Sequence, residues 1–241
     1  MTHYSPQEIQ EVIDMVAVER LDIRTVTMGI NLLPAIRSDI DKTCEAIAAL
    51  IHDHARDLVK KAENVSKRTS IPIINKRITV TPVSLLLSAI ATGDKKRDMA
   101  AAVKLAHTLD HAADAAGVDF LGGFGALVEG GESYADQIVV EALPEALSTT
   151  SRVCGFVNVG TSKAGINMRA VSRVADMIRK MSTVENGVLG CCKLVVFCNA
   201  VPDNPFMAGG FHHVSMPDTV IHVGVSGPGV VRRVIEKLPV D

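Results

Sequence analysis

A long polar segment between two apolar runs carries the residues best suited to chemistry. The apolar runs are residues 193–199 and 219–225, and the connection between them is longer than about 15 residues. A connection of this length and composition is typical of a binding or catalytic loop. We expect His212 to be the acid or base of any reaction. The side chains expected to orient a ligand are Asn199, Asp203 and Asn204.

The glycine-rich turn GVSGPG, residues 224–229, is the second candidate, because it joins the later apolar run to a helix. Unpaired N–H groups at a helix N-terminus favour an anion. We therefore predict that Ser226, Gly227 and Gly229 bind an anion, and a capped turn without a ligand is the structural alternative. The turn lacks the order G-x-G-x-x-G, so no NAD site is inferred. No metal site and no cofactor is assigned.

Alternating strand and helix patterns predict the elements that position these residues. Apolar runs rich in Val, Ile and Phe indicate buried strands near residues 23–32, 71–81, 118–120, 153–159, 193–199 and 219–225. Helical spacing of apolar residues indicates helices over residues 6–19, 38–61, 95–116, 132–147 and 168–180, and from Pro228 onward. The predicted fold class is α/β, a barrel-like, largely parallel sheet with outer helices. It forms a single domain over residues 1–241, and the polar loop and the glycine turn are expected to line one pocket at the carboxyl ends of the strands.

Two stretches leave alternatives open. Asn75-Lys76-Arg77 is a polar interruption of the second strand and is interpreted as a candidate turn that splits it. Six glycines in residues 117–131 indicate either close backbone approach or a flexible rim.

Composition excludes several classes of partner. The chain has 241 residues, 47% of them hydrophobic, which is enough for a sizeable core. A net charge of -2 and an aromatic content of 3% argue against nucleic acid and against an anionic membrane. The polar N-terminus and the five cysteines predict a cytoplasmic protein with reduced thiols. A small polar metabolite is the expected partner.

Three segments resemble a known family. They are residues 22–33 (DIRTVTMGINLL), residues 193–213 (KLVVFCNAVPDNPFMAGGFHH) and residues 220–231 (VIHVGVSGPGVV). They are similar to a functionally uncharacterised prokaryotic family whose members carry the label "PFL family protein". The resemblance covers residues 22–241, beyond an N-terminal helix in residues 1–21. It implies a fold like part of the ten-stranded barrel of pyruvate formate-lyase and other glycyl radical enzymes.

The resemblance also implies partners. Members of this family are nearly twice as long, so the chain resembles their N-terminal half. Half of a barrel leaves a strand edge and an apolar face exposed, which implies a homo-oligomer or a second chain that completes the barrel. Genes of the family are found beside a small ACT-domain protein, which implies such a partner. Cys191 and Cys192 resemble the adjacent cysteines of pyruvate formate-lyase, but they precede a strand, so that role is not carried over.

Three functions follow from these observations. The leading hypothesis is binding of a small anionic metabolite, with conversion by His212 if there is chemistry. The second is a non-enzymatic regulatory or scaffold subunit linked to an ACT-domain partner. The third is a part of a glycyl-radical-type enzyme.

Overall fold

The strands of the chain assemble into one sheet, seen in a computed structural model that describes residues 5–18, 23–205, 209–225 and 227–238. The strands are β1 (Ile23–Ile30), β2 (Ile73–Val80), β3 (Phe120–Leu127), β4 (Val153–Thr161), β5 (Gly165–Ile166), β6 (Leu194–Cys198) and β7 (Thr219–Val225). The helices are α1 (Pro6–Ile13), α2 (Ile40–Ala55), α3 (Leu58–Thr69), α4 (Val83–Ile90), α5 (Lys95–Ala115), α6 (Tyr134–Thr149), α7 (Met168–Met181), α8 (Gly187–Cys192) and α9 (Gly227–Lys237). None of these helices is both long enough and apolar enough to cross a bilayer.

Parallel pairing dominates the sheet. Strands β1, β2, β3, β4 and β6 run parallel in that order, with helices between successive strands. Strand β7 pairs antiparallel with β1 at one edge, and the short β5 pairs antiparallel with β4. The expected α/β fold with a largely parallel sheet and flanking helices is therefore confirmed. The expected barrel is not: hydrogen bonds between the described strands do not close the sheet.

Alternate strand residues face two different layers. The side chains that join the core with the helices include Ile78, Val80, Leu121, Val153 and Val157. The opposite side of the sheet, here called the inner face, carries the buried residues Thr27, Arg77, Thr79, Cys154 and Phe156. The helix side is thus uniformly apolar, whereas the inner face contains polar and charged groups. Because buried polar and charged groups lie on the inner face, a functional site is expected there.

Two stretches that the sequence left open lie inside strands. Strand β2 continues through Asn75-Lys76-Arg77, so the candidate turn there is wrong. Strand β3 contains three of the glycines, and these allow close backbone approach. A Cβ atom at Gly122 would lie 2.4 Å from the carbonyl oxygen of Gly210. The glycines of β3 therefore let another segment lie directly on the strand.

Other elements also differ from their predicted bounds or surroundings. The helix expected over residues 38–61 is broken into α2 and α3. Cys191 and Cys192 end helix α8. Strand β7 has the predicted bounds, but it is an antiparallel edge strand and not a buried parallel one. Three of its side chains are more than half exposed: Ile221, Val223 and Val225.

Candidate functional site

The polar loop after β6 folds back onto the inner face. Asn204 and Phe211 form an isolated antiparallel bridge, with each backbone N–H donating to the other's carbonyl at 3.1 and 2.8 Å. The Phe211 ring stacks on Phe156, with centroids 4.5 Å apart. The backbone N–H of His212 then donates to the carbonyl of Val80 at 3.0 Å, where β2 ends. The loop is therefore anchored to β2 and β4 at the carboxyl-terminal half of the sheet.

Asp203 lies between two histidines. Its Oδ1 is 3.3 Å from His212 Nδ1, and its Oδ2 accepts a hydrogen bond from His222 Nε2. The side chain of His212 is fully buried and that of Asp203 is 6% exposed, whereas His222 is 27% exposed. His212 comes from the loop and His222 from β7, so two separate elements converge on one carboxylate. The group His212–Asp203–His222 is called the acid–base cluster below.

Both ring nitrogens of His212 face hydrogen-bond acceptors. Nδ1 faces the Asp203 carboxylate, and Nε2 lies 2.8 Å from the carbonyl oxygen of Pro217. A neutral imidazole has only one N–H. Both contacts are satisfied when His212 carries two protons, or when the proton between His212 and Asp203 resides on the carboxyl group. The partly exposed ring of His222 connects the cluster to the protein surface.

Close packing fixes the position of His212. A Cβ atom at Gly29 would lie 2.5 Å from His212 Nδ1, so only glycine leaves room for the ring beside β1. Gly29 lies one residue before the end of β1. Its role is to admit the imidazole.

Arg77 is the other unusual group of the inner face. The residue is 7% exposed, and its buried Nε has no hydrogen-bond partner within the described residues. Its neighbour on the same face, Thr79, is 2% exposed, and its hydroxyl also has no partner in the described part of the chain. Burial lowers the pKa of Arg77, but a guanidinium stays charged in proteins. Buried charges are normally paired, so Arg77 is a candidate binding residue for an anion.

Strand register places Arg77 beside the acid–base cluster. Thr27 of β1 lies opposite Arg77 on one side and opposite His222 on the other. Neighbouring strands are about 4.8 Å apart, so the Cα atoms of Arg77 and His222 are separated by about 10 Å across the inner face. A ligand of a few heavy atoms spans that distance.

A cavity of ≈ 820 Å³ lies at the starts of β3, β4 and β6, and Phe120, Cys154 and Lys193 line it together with the end of α6. Its lining also includes Glu185. Phe120 is the register partner of Arg77 on the next strand. Burial raises the pKa of the Cys154 thiol to about 11, and the positive charges of Lys193 and Arg77 oppose that shift. The thiol therefore lies within the electrostatic reach of both cations.

The structure brings some of the predicted site residues together. His212 and Asp203 are in contact, and Asn204 holds the loop through its backbone bridge. Asn199 has a left-handed backbone with φ 65°, and its side-chain amide exchanges two hydrogen bonds of 2.8 Å with Ser162. Asn199 thus ties the start of the loop to the turn after β4. Its observed contacts are structural.

The glycine turn lies elsewhere. Strand β7 runs antiparallel to β1, so Val225 pairs with Ile23 at the start of β1, whereas His212 lies beside Gly29 near its end. Six residues of strand separate these positions, which is about 20 Å. Gly227 and Gly229 begin α9 beyond Val225, near the start of β1. Ser226 lies outside the described residues. The expected common pocket of His212 and the turn is therefore not formed.

Three important residues were missed in the sequence. Arg77 was assigned to a candidate turn, His222 to a buried apolar strand, and Lys193 to the start of a strand without a role. A signal did exist for the first two, since a charged or imidazole side chain inside a strand otherwise made of Val, Ile and Thr is unusual.

Comparison with known proteins gives the family. A family model described as "Uncharacterised ACR (DUF711)" matches residues 14–241. A protein of Limosilactobacillus fermentum named "UPF0210 protein" is 50% identical over 232 residues, which cover 96% of this chain and 50% of that protein. A UPF0210 protein of Methanocaldococcus jannaschii is 48% identical over 237 residues, covering 98% of this chain and 52% of that protein. The chain therefore spans about half the length of these curated relatives.

These names state no activity. They give no link to pyruvate formate-lyase or to glycyl radical enzymes, so that part of the resemblance is unsupported. What is shown is an uncharacterised family found across prokaryotes, and the chain belongs to it: it is a member of the DUF711, or UPF0210, family.

Proposed function

We propose that the inner face binds a small anionic metabolite, with Arg77 as the anion-binding residue and the acid–base cluster beside it. The observation that carries the proposal is the buried side chain of Arg77, whose Nε has no hydrogen-bond partner within the described residues. A carboxylate, phosphate or sulfate group would supply the missing hydrogen-bond acceptors, and a guanidinium binds such groups in a bidentate manner. The unpartnered hydroxyl of Thr79 on the same strand adds a donor or acceptor for the ligand.

The energetic argument favours a ligand over an empty site. Leaving an ion unpaired inside a protein costs several kcal/mol. Natural proteins retain such groups mainly at functional sites, because the unfavourable burial is offset when the partner binds. The proposal keeps the anion expected from the sequence and adds Arg77 as its binding residue, while anion binding by Ser226, Gly227 and Gly229 stays a prediction.

The acid–base cluster supplies the chemistry if the ligand is converted. Asp203 orients two imidazoles, and an oriented histidine beside a bound substrate is the usual general acid or base. His222 is the member that reaches the ligand, because it is partly exposed and lies across Thr27 from Arg77. His212 is fully enclosed, so it acts through Asp203.

The test is ligand-dependent thermal stability of Arg77→Met. Inorganic phosphate, sulfate and short dicarboxylates serve as probes. A free ligand concentration of 100 times the dissociation constant stabilises the folded chain by about 2.7 kcal/mol. For a chain of this size, that free energy raises the melting temperature by roughly 5 °C. We expect such a shift in the unaltered chain and none in Arg77→Met. Arg97→Met removes an exposed arginine of α5 and is the matched control that keeps the shift.

The same variant has a second readout that a purely structural arginine would not give. Without ligand, Arg77→Met removes an unpaired buried charge, so it should raise the free energy of unfolding by about 1 to 3 kcal/mol. An arginine that holds the fold together would give the opposite sign. Destabilisation by Arg77→Met, together with anion shifts equal to those of the unaltered chain, rejects the proposal.

The regulatory-subunit and glycyl-radical hypotheses remain proposals for the longer relatives. No contact within the described residues favours either of them over anion binding.

A further inference from the structure

Another cavity, of ≈ 650 Å³, lies beyond the carboxyl end of β3. The segment that follows β3 and the first turns of α7 line it. Seven residues of strand, about 23 Å, separate Leu127 at the end of β3 from Phe120, the register partner of Arg77. Ligands of α/β proteins usually bind at the carboxyl ends of the strands. The cavity is therefore a candidate site of its own, separate from the one proposed at Arg77.

Hydrogen bonds fix the two walls of this cavity relative to each other. The side-chain amide of Asn167 donates to the carbonyl of Val128 at 2.7 Å, and its Oδ1 caps α7 by accepting from the N–H of Ala170 at 3.2 Å. The N–H of Val128 donates to the carbonyl of Asn158 at 2.9 Å, at the carboxyl-terminal half of β4. The residues after β3 and the start of α7 thus form a preorganised site.

Four charged side chains line the cavity: Glu129, Glu132, Arg169 and Arg173. Glu132 and Arg173 pair with each other at 3.2 Å, and their side chains are 10% and 33% exposed. Glu129 has a buried Oε2 without a hydrogen-bond partner in the described part of the chain. No ion pair joins Glu129 to Arg169 within the described residues. One acid and one base are therefore left over when the internal pair is formed.

The chemistry of these two groups defines a ligand. A carboxylate that is partly buried without a donor is unfavourable, and an ammonium group offers it three N–H donors. The guanidinium of Arg169 binds a carboxylate in a bidentate manner. The described residues contain no group of three or more His, Cys, Asp or Glu side chains that could hold a metal ion, so an organic cation suits Glu129 better than a metal.

We propose that this cavity binds a small amino acid as a zwitterion, with its ammonium group on Glu129 and its carboxylate on Arg169. A simple anion or a simple cation would satisfy only one of the two side chains. The Glu132–Arg173 pair stays intact and leaves the cavity without excess charge of either sign. The proposal does not depend on anion binding at Arg77.

Isothermal titration calorimetry on the whole chain tests the ligand class. The probes are glycine, β-alanine, γ-aminobutyrate and δ-aminovalerate, in which the distance between ammonium and carboxylate increases. Acetate and methylamine carry one charge each and are the controls. We expect the best zwitterion to bind about ten-fold or more tightly than either control, because it makes both charged contacts. Equal affinity of a control overturns the ligand class, and no binding by any of the four zwitterions overturns the site.

Substitutions then locate the site. Glu129→Gln and Arg169→Met each remove one charge, and we expect each to raise the dissociation constant of the best zwitterion about ten-fold or more. Glu63→Gln, at an exposed glutamate of α3, and Arg179→Met, at an arginine of α7 that is 81% exposed, are the matched controls that leave it unchanged. An unchanged dissociation constant in Glu129→Gln overturns the proposal.

Charge reversal separates a lost contact from a lost fold. Glu129→Lys should abolish binding of the zwitterion and strengthen binding of acetate, a gain that an unfolded variant cannot give. Arg77→Met should leave the affinity for the zwitterion as it was, and Glu129→Gln should leave the thermal shift by phosphate as it was. Loss of the zwitterion in Arg77→Met would place the amino acid at Arg77 and overturn the site at Glu129.

Discussion

Two buried carboxylates, Asp98 and Asp203, show how this fold treats charge at the scale of the residue. Asp203 is paired with two histidines, and Asp98, 2% exposed, accepts hydrogen bonds from the loop before α5 and from Tyr134. Both are satisfied, whereas Arg77 Nε and Glu129 Oε2 are buried without a hydrogen-bond partner within the described residues. Arg77 is the cation of these two groups, and it lies on the inner face.

Asp98 gives a prediction about acid stability. Burial alone would raise its pKa, but hydrogen bonds from Thr92, Tyr134 and Gly93 outweigh burial and hold the pKa below its usual value. A carboxyl group whose pKa is lower in the folded state stabilises the fold above its unfolded pKa, about 3.9, and this stability is lost as pH falls through the folded pKa. We expect Asp98→Asn to cost about 2 kcal/mol near neutral pH.

Urea unfolding at a series of pH values measures both effects. The loss of stability below about pH 4 should be shallower in Asp98→Asn than in the unaltered chain, because the titrating group is gone. Asp53→Asn changes a side chain that is 73% exposed and serves as the control without effect. An unchanged acid slope in Asp98→Asn would show that other carboxyl groups govern acid unfolding.

At the scale of the element, contact between the polar loop and the sheet decides whether the site forms. The loop approaches β3 at backbone distance, with Gly210 above Gly122, and it inserts Phe211 and His212 against the strands. No side chain separates the two backbones there. The loop position therefore depends on glycine in the strand more than on the loop sequence.

Gly122→Ala tests this dependence. The added Cβ would lie 2.4 Å from the carbonyl oxygen of Gly210 and would displace the loop, at a cost of about 1 to 3 kcal/mol. Gly130→Ala is the matched control, because a Cβ there has nothing within 4 Å. Urea unfolding measures the cost, and faster proteolysis between residues 199 and 218 reports the displaced loop. Equal stability of the two variants would mean that the loop is not held by this contact.

At the scale of the whole molecule, the two faces and edges of the sheet are covered unequally. Helices cover the side of β2, β3 and β4 that joins the hydrophobic core, whereas the outer side of β7 exposes Ile221 and Val223 beside Val26 and Met28. An exposed apolar edge strand pairs readily with another chain. The association expected from the sequence stays a prediction, and β7 is the surface on which we expect it.

Light scattering tests that association. We expect a molar mass above the 25.7 kDa of the chain, and we expect Ile221→Lys to lower it, because a lysine on the edge strand opposes pairing. Met168→Lys makes the same change at an exposed apolar residue of α7 and should leave the mass unaltered. A monomer at all concentrations of the unaltered chain would exclude β7 as a pairing surface.

The sequence by itself determined the elements and where polar residues interrupt them. The bounds of β7 and the helix from residue 168 were predicted within one residue, since apolar periodicity depends only on neighbours along the chain. The pairing of Asp203 with His212, nine residues apart, was also within reach of the sequence, because both lie in one conspicuous loop.

Only the tertiary structure decided which groups meet. His222 reaches Asp203 because β7 runs antiparallel along β1. The same strand direction places Gly227 near the start of β1, whereas His212 lies near its end. Arg77 becomes a buried cation with an unpartnered Nε only when the inner face is assembled from strands that are distant in sequence. Strand direction and burial are set by hydrogen bonds and packing between residues far apart in sequence. The apolar pattern of a single segment therefore does not determine them.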